Sequence, residues 1–140
     1  AERAVARVGL SDRIRLARGL AEDLSPLMFD RSMPFTDAVF SYSLSMIPDW
    51  KQALKMACAA VGSGRVHIVD FGDLQGLGVP VAALLRRWLR SFRVTVRGEI
   101  LQRLRQQGDF PEQSTGLRIL PAHYAFIWQG TSKTVQSLAL

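Results

Sequence analysis

The sequence predicts an α/β fold in which a mostly parallel β-sheet lies between helices and ends in an antiparallel strand pair. Short apolar runs alternate along the chain with segments whose apolar residues recur at helical spacing. The last two strand-like runs are joined only by Pro121 and Ala122, which leaves no room for a crossover helix. A chain of 140 residues that is 48% hydrophobic can bury one core, so we expect one domain.

The N-terminal half contains a helix end and three strand patterns. Residues 1–8 are typical of a helix that closes at Gly9, since glycine readily adopts the left-handed conformation at a helix C-terminus. Residues 13–17 (RIRLA) alternate apolar and charged side chains, which predicts a short strand. The run 37–42 predicts a second strand. Residues 65–71 (RVHIVDF) predict a third, whose nearly continuous apolar character is typical of an interior parallel strand covered on both faces.

Three further segments have helical patterns. Asp49 is placed to cap a helix that ends at Gly62. A second helix begins at Pro80 and carries an apolar stripe opposite a row of arginines, and residues 98–107 suggest a third. The stripe consists of Val81, Leu84, Leu85, Trp88, Leu89 and Phe92. We interpret the tryptophans of the chain as core or interface residues, namely Trp50, Trp88 and Trp128.

The C-terminal part closes the sheet. GLRIL (residues 116–120) and HYAFIWQG (residues 123–130) are strand-like, and their short connection predicts an antiparallel pair. Residues 131–140 have no clear pattern and are expected to form a tail.

Positive charge is concentrated in one segment. The chain has a formal net charge of +6, and residues 86–105 hold seven arginines against one acid, Glu99. Such a segment suits phosphate or an anionic membrane surface, but arginines beside an apolar helical stripe are more often a solvated outer face. The basic face has no interleaved aromatic residues and no known motif, so we expect no nucleic-acid binding.

Composition also bears on redox state and location. The single cysteine, Cys58, lies in an apolar helical pattern, which predicts a buried thiol. One cysteine cannot form a disulfide within the chain. No apolar run approaches the roughly 20 residues needed to cross a bilayer, and the N-terminus lacks the features of a secretory signal. We expect a cytoplasmic protein, with peripheral attachment to the inner face of the membrane as an open alternative.

Polar side chains follow the ends of two predicted strands. They are Ser41, Tyr42, Ser43 and Ser45 after one strand, and Asp70 and Asp73 after the next. Because the carboxyl ends of parallel strands share one rim, where α/β proteins bind ligands, these side chains predict a site. Serine and aspartate are also common in turns and caps, so each position alone has a structural explanation.

Four stretches follow one another along the chain: DRIRLARGLAEDL, FTDAVFSYSLSMIPDW, GSGRVHIVDFGD and the final strand pair. Together they resemble the class I S-adenosylmethionine-dependent methyltransferases. SYSLSMIPDWKQAL, HIVDFGDLQGL and FRVTVR are more similar still to the N-methyltransferases of betaine lipid synthesis and related phosphatidylethanolamine methyltransferases. The resemblance covers residues 1–130 and implies a Rossmann-like methyltransferase sheet. The family's first strand with its glycine-rich turn is not found, so we expect the C-terminal two-thirds of one domain, truncated at the N-terminus.

The resemblance also implies a reaction and a binding site. The reaction is methyl transfer from S-adenosylmethionine to an amine, such as a lipid headgroup, and the enzyme mainly aligns the reactants and excludes water. The family segment that wraps the adenine ring corresponds to Gly19, Leu20, Ala21 and Glu22. The strand end that touches the methionine part of the cofactor corresponds to Ser41, Tyr42 and Ser43.

A free amine must lose a proton before it accepts a methyl group. The candidate proton acceptors are Tyr42, Asp70, Asp73 and His67, and the ring of Tyr42 is also suited to hold an ammonium group. Neither histidine pairs with a cysteine or carboxylate at metal-ligand spacing, so we predict no metal. A lipid substrate would give the arginines of residues 86–105 a role at an anionic membrane.

Two other functions stay open. The chain could be a non-catalytic methyltransferase-like remnant or interaction module that does not bind the cofactor by itself and associates through exposed sheet edges. A nucleotide-binding oxidoreductase also uses a parallel sheet, but the terminal antiparallel pair argues against that class.

Overall fold

Four strands form one open sheet in the computed structural model, which describes residues 1–92, 94–96, 98–106 and 116–139. The strands are β1 (Asp37–Ser41), β2 (Arg65–Phe71), β3 (Arg118–Ile119) and β4 (Ala125–Thr131). They lie in the order β1-β2-β4-β3. β1 and β2 are parallel, whereas β4 is antiparallel to both β2 and β3. The α/β class and the antiparallel pair are confirmed, but the described sheet is mixed rather than mostly parallel.

Five α-helices occur in the same described ranges. They are α1 (Glu2–Arg7), α2 (Trp50–Val61), α3 (Val79–Ser91), α4 (Gly98–Gln106) and α5 (Ser132–Ala139). Three short 3₁₀ helices cover Ala21–Asp23, Pro26–Phe29 and Pro121–His123. The first four α-helices agree with the predicted ones, except that residue 107 lies outside the described residues. The residues expected to form a tail instead complete β4 and form α5.

α2 organises the core. The Asp49 carboxylate accepts a hydrogen bond from the N–H of Gln52 at 3.1 Å, and Gly62 has a positive φ of 57° at the other end, as expected for a capped helix. The helix packs against the sheet, α5 and the 3₁₀ helix Ala21–Asp23. Residues buried to 1% exposure or less in this core include Leu54, Ala57, Cys58, Val66, Ile68, Trp128 and Val135.

β2 is an interior strand, with β1 on one side and β4 on the other. Its burial alternates, since Val66, Ile68 and Asp70 are buried while His67, Val69 and Phe71 are half-buried. Ile68 lies opposite Trp128 on β4, and the ring of Trp128 fills the space that a side chain at position 130 would need. Gly130 is therefore required by packing. The predicted interior position is confirmed, although one face of β2 is only half covered.

The strand predicted over residues 13–17 is wrong. This segment is irregular and exposed, with 39% of Ile14 and 48% of Leu16 accessible to solvent. The Arg15 guanidinium donates a hydrogen bond to the carbonyl of Phe29 at 3.0 Å. A strand needs a neighbour for its N–H and C=O groups, and among the described residues β1 pairs only with β2. An alternating pattern of five residues does not supply that neighbour.

The apolar stripe of α3 faces outward rather than into the core. Trp50 and Trp128 are buried, but Trp88 is 56% exposed, so of the two predicted roles, core or interface, the core role is wrong for Trp88 and the interface role stays a prediction. The buried residues of α3 are Ala82 and Leu89. The helix therefore packs along the side of these two residues and leaves Val81, Leu84 and Trp88 of the stripe outside.

Candidate functional site

The segments that follow β1 and β2 meet at one rim of the sheet, as predicted. The N–H of Tyr42 donates to the carbonyl of Val69 at 2.7 Å, which continues the pairing of the two strands. The N–H of Ser45 donates to one carboxylate oxygen of Asp70 at 2.9 Å, and the N–H of Phe71 donates to the other at 2.7 Å. Because Asp70 is only 2% exposed, it ties the two strand ends together from the inside.

Three aromatic rings lie at this rim and form an aromatic cluster of Tyr42, Phe71 and Tyr124. The ring centroids of Tyr42 and Phe71 are 5.0 Å apart, and those of Phe71 and Tyr124 are 5.9 Å apart. Burial raises the pKa of Tyr42 above its ordinary value, and a hydrogen bond with Tyr124 acts in the same direction. The phenol of Tyr42 is therefore neutral at physiological pH, and its ring offers an electron-rich face to a cation.

A charged cluster of Asp73, Arg105 and His123 adjoins the aromatic cluster, since His123 and Tyr124 are consecutive. His123 Nδ1 lies 3.0 Å from one oxygen of Asp73, and Arg105 Nη1 lies 3.2 Å from the other. Burial acts to raise the pKa of Asp73. A hydrogen bond from the N–H of Gln75, a hydrogen bond from His123 and the positive charge of Arg105 together outweigh burial and hold this pKa below its ordinary value. Asp73 is therefore ionised at neutral pH.

The backbone of the rim is strained at four positions. Left-handed φ values occur at Tyr42 (49°), Leu74 (61°), Ala122 (58°) and His123 (52°). A non-glycine residue in this conformation costs on the order of 1 kcal/mol or more. In the described part of the chain, Asp30 is the one other non-glycine residue with a positive φ. Strain gathered at adjacent strand ends is typical of a functional site.

Two glycines allow the loop after β2 to reach the segment before β4. A β-carbon at Gly72 would overlap the carbonyl of His123, and one at Gly76 would lie 2.6 Å from the Cα of Ala122. The N–H of Leu74 donates to the carbonyl of His123 at 3.1 Å. Close backbone contact therefore fixes the charged cluster in place.

The residues predicted to bind the cofactor lie in two separate groups. Ser41 ends β1 and is exposed, and Ser43 forms a turn in which its carbonyl accepts the N–H of Met46 at 2.9 Å, so both belong to the rim with Tyr42. The other group lies at the 3₁₀ helix that packs on α2, and it comprises Gly19, Leu20, Ala21 and Glu22. No hydrogen bond or ion pair within the described structure joins this group to residues 41–43.

His67, a further candidate proton acceptor, is not part of the rim. Its Nε2 lies 2.8 Å from the carboxylate of Asp37, the first residue of β1. This hydrogen bond is the main cause of the lowered pKa of Asp37. Burial acts to raise that pKa, and a hydrogen bond from Arg65 lowers it further. His67 therefore supports the ion pair of Asp37 with Arg65, at the end of the strand away from the rim.

Several rim residues were not recognised in the sequence. The sequence did not predict Phe71, His123 or Tyr124 as site residues, and it indicated Arg105 only as part of the basic segment 86–105. In the structure Phe71 at the end of β2 lies opposite Ala125 at the start of β4. Residues just before β4 must therefore lie where β2 ends, so the register of this antiparallel pair is the signal that would have located them.

No known protein-family model and no curated protein sequence matches this chain. The function proposed below therefore rests on the geometry of the rim and on the sequence resemblance.

Proposed function

We propose that residues 1–130 form part of an S-adenosylmethionine-dependent methyltransferase domain with a Rossmann-like sheet, and that the methyl acceptor is an amine such as a lipid headgroup. The observation that carries this proposal is the meeting of the aromatic cluster and the charged cluster where β1 and β2 end. Ligands of α/β sheets bind at the carboxyl ends of the strands. The antiparallel pair of β3 and β4 also agrees with the C-terminal strand pair that the resemblance implies.

The rim suits the sulfonium end of the methyl donor. A sulfonium group is a cation without N–H or O–H donors, so aromatic faces and oxygen atoms are its natural neighbours. Tyr42 supplies the ring, Ser41 and Ser43 supply hydroxyl groups beside it, and Leu20, which is 66% exposed, offers apolar surface for an adenine ring. When bound, S-adenosylmethionine supplies an electrophilic methyl group, and its positive charge disappears on transfer.

The aromatic cluster also suits the acceptor. An ammonium or amine nitrogen over a tyrosine or phenylalanine ring gains about 0.5–2 kcal/mol, with the larger value where water is excluded. Because the phenol of Tyr42 is neutral, the cluster binds a cation through its rings and does not trap it in an ion pair. The acceptor nitrogen can then release its proton without breaking a strong charge pair.

In this proposal His123 takes the proton of the acceptor. Donation of the Nδ1 hydrogen to Asp73 leaves the Nε2 lone pair available, and 38% of the His123 side chain is exposed. Asp73 then positions His123, and the buried Asp70 positions the backbone of the two strand ends. The roles predicted for Asp70 and Asp73 as catalytic residues thus become positioning roles, while Tyr42 keeps contact with the ligands.

A second candidate is a non-catalytic interaction module, which the free side of β1 favours. Within the described ranges β1 pairs only with β2, and Val39 on it is 67% exposed. A groove of about 590 Å³ runs along this strand between Arg13, Phe29 and Phe35. Unpaired N–H and C=O groups beside a groove are suited to receive another strand.

Titration of the ¹⁵N-labelled chain with S-adenosylhomocysteine separates the two candidates, because NMR detects even the weak binding that we expect. Methyltransferase function predicts that amide signals of residues 41–45 and 71–76 shift together. Tyr42→Leu should abolish the shifts, and Tyr42→Phe, which keeps the ring, should retain them. The interaction module is favoured if the rim residues show no shifts. It is also favoured if the shifts persist unchanged in Tyr42→Leu.

The reaction itself is tested by adding S-adenosylmethionine to the chain and to vesicles that contain phosphatidylethanolamine. Mass spectrometry of the lipids then measures methylation. His123→Gln is expected to slow methylation by about 10²–10⁴-fold, the usual contribution of a general base. A variant as fast as the wild type would remove His123 from the mechanism.

A further inference from the structure

α3 exposes the larger part of its apolar stripe. Val81, Leu84, Trp88 and Phe92 follow one another at intervals of three or four residues, and each is 55–69% exposed. The rings of Trp88 and Phe92 contact each other with centroids 4.9 Å apart. These four residues, named here the outer face of α3, form one continuous apolar surface. An exposed apolar surface of this kind on a helix is typical of an interaction site.

The charged residues of α3 are all basic. α3 contains Arg86, Arg87 and Arg90 and no acidic residue. Arg86 donates to the carbonyl of Asp73 at 3.1 Å, and Arg90 donates to the carbonyl of Arg86 at 3.4 Å. No ion pair with a carboxylate is formed by these three guanidinium groups among the described residues. Arg93 and Arg97 of the same basic segment lie outside the described residues.

We propose that α3 lies in the interface of an anionic lipid bilayer, with its outer face toward the acyl chains and its arginines toward the lipid phosphates. A helix that is apolar on one side, rich in arginine on the other and equipped with tryptophan and phenylalanine has the composition of an interfacial helix. Its 13 residues span about 20 Å, short of the roughly 30 Å of a bilayer core, so it lies along the surface. Across the described residues no helix combines the length and apolar character required to span a bilayer.

The charges favour a membrane over a second copy of the chain. A symmetric contact between two outer faces would bring the arginines of both α3 helices together, and neither helix contains an acid to compensate them. An anionic bilayer supplies many phosphates at once, and each arginine near its surface contributes to binding. The bond from Arg86 to Asp73 also joins α3 to the rim, so a bound helix holds the rim close to the headgroups.

Trp88 is a built-in reporter for this interaction. It is 56% exposed, whereas Trp50 is 4% and Trp128 is 1% exposed, so a change in tryptophan emission upon binding comes mainly from Trp88. We expect vesicles of phosphatidylcholine and phosphatidylglycerol to shift the emission of the full 140-residue chain to shorter wavelength. Vesicles of phosphatidylcholine alone should bind far less, and salt should weaken binding to the anionic vesicles. Binding needs no methyl donor, so the result is independent of the proposed methyl transfer.

Matched variants, measured by vesicle flotation, identify the surface responsible. Leu84→Glu should abolish binding, whereas Leu27→Glu, at a leucine that is 75% exposed on another element, should leave it unchanged. Arg87→Gln and Arg90→Gln should each weaken binding about five-fold. Circular dichroism establishes that the variants are folded.

Three results would overturn the proposal. The first is equal binding to neutral and anionic vesicles, and the second is undiminished binding by Leu84→Glu. The third is absent vesicle binding together with self-association in analytical ultracentrifugation that Leu84→Glu removes, because the outer face would then be a contact between copies of the chain.

Discussion

A single carboxylate, that of Asp73, joins three parts of the rim. Its oxygens contact His123 at 3.0 Å and Arg105 at 3.2 Å, and 11% of its side chain is exposed. Burial disfavours its charge, but hydrogen bonds from Gln75 and His123 and the charge of Arg105 more than offset that cost, so the pKa of Asp73 is lowered. A carboxyl group with a lowered pKa stabilises the fold only while it is ionised.

Asp73→Asn is expected to lower the free energy of unfolding by about 1.5–3 kcal/mol at pH 7, because a hydrogen-bonded charge is removed. The stabilisation is complete above the unfolded carboxyl pKa of about 3.9 and is lost as pH falls through the lower folded value. Urea unfolding at several pH values should therefore show the two proteins converge in acid. Asp23→Asn, at an exposed residue, is the control. A deficit that is the same at every pH would mean that Asp73 acts through packing alone.

Cys58 gives the opposite pH dependence. It is 1% exposed, and burial raises the pKa of its thiol to about 11. An unfolded cysteine titrates near pH 8.5, so the contribution of the neutral thiol to stability is complete below about that pH and is lost as pH rises toward 11. We expect the chain to lose stability relative to Cys58→Ala over this interval in urea unfolding. A difference that stays constant with pH would contradict the buried environment of the thiol.

At the scale of elements, the loop after β2 depends on glycine at position 72. Gly72→Ala would overlap the carbonyl of His123, and such overpacking typically costs about 1–3 kcal/mol. Gly116→Ala is the matched control, because nothing lies within 4 Å of a β-carbon at that position and it belongs to no helix. Thermal unfolding should show a clear loss for the first variant and a small change for the second. Equal losses would be inconsistent with close contact between this loop and His123.

The elements that face the core were predictable because their patterns report burial. The spacing from Trp50 to Val61 and the cap at Asp49 located α2, and the apolar run of β2 located the central strand. α3 has an equally clear pattern, but a pattern shows that a face is apolar and not what covers it. α5 escaped notice because its segment is short, although Val135 within it is fully buried against the core.

The site was predictable where it depends on strand direction and not where it depends on register. Residues 41–45 and 70–73 follow parallel strands, so their meeting followed from the fold class. His123 and Tyr124 come about fifty residues later in the chain and reach the rim through the pairing of β4 with β2. Sequence patterns predicted β4 as a strand paired with β3 but gave no indication that it also pairs with β2.

At the scale of the whole molecule, the longer of the two edge strands in the described sheet, β1, is open on one side. β2 is paired on both sides, and β1 on only one within the described residues. The backbone of β2 is therefore hydrogen-bonded on both sides, whereas β1 offers unpaired N–H and C=O groups to a partner. The two candidate functions differ in what pairs with β1. Methyltransferase function predicts further strands of the same sheet, and an interaction module predicts another molecule.

Amide hydrogen exchange measured by NMR tests the state of this edge. The N–H of Tyr42 points to Val69 on β2, and backbone directions alternate along a strand, so the N–H groups of Val39 and Ser41 point to the open side. We expect Val39 and Ser41 to exchange rapidly and Phe40 to be protected. Protection of Val39 and Ser41 that increases with protein concentration would show that a second copy pairs with β1. Strong protection at the lowest concentration would contradict the open edge itself, because only a paired strand shields these groups from water.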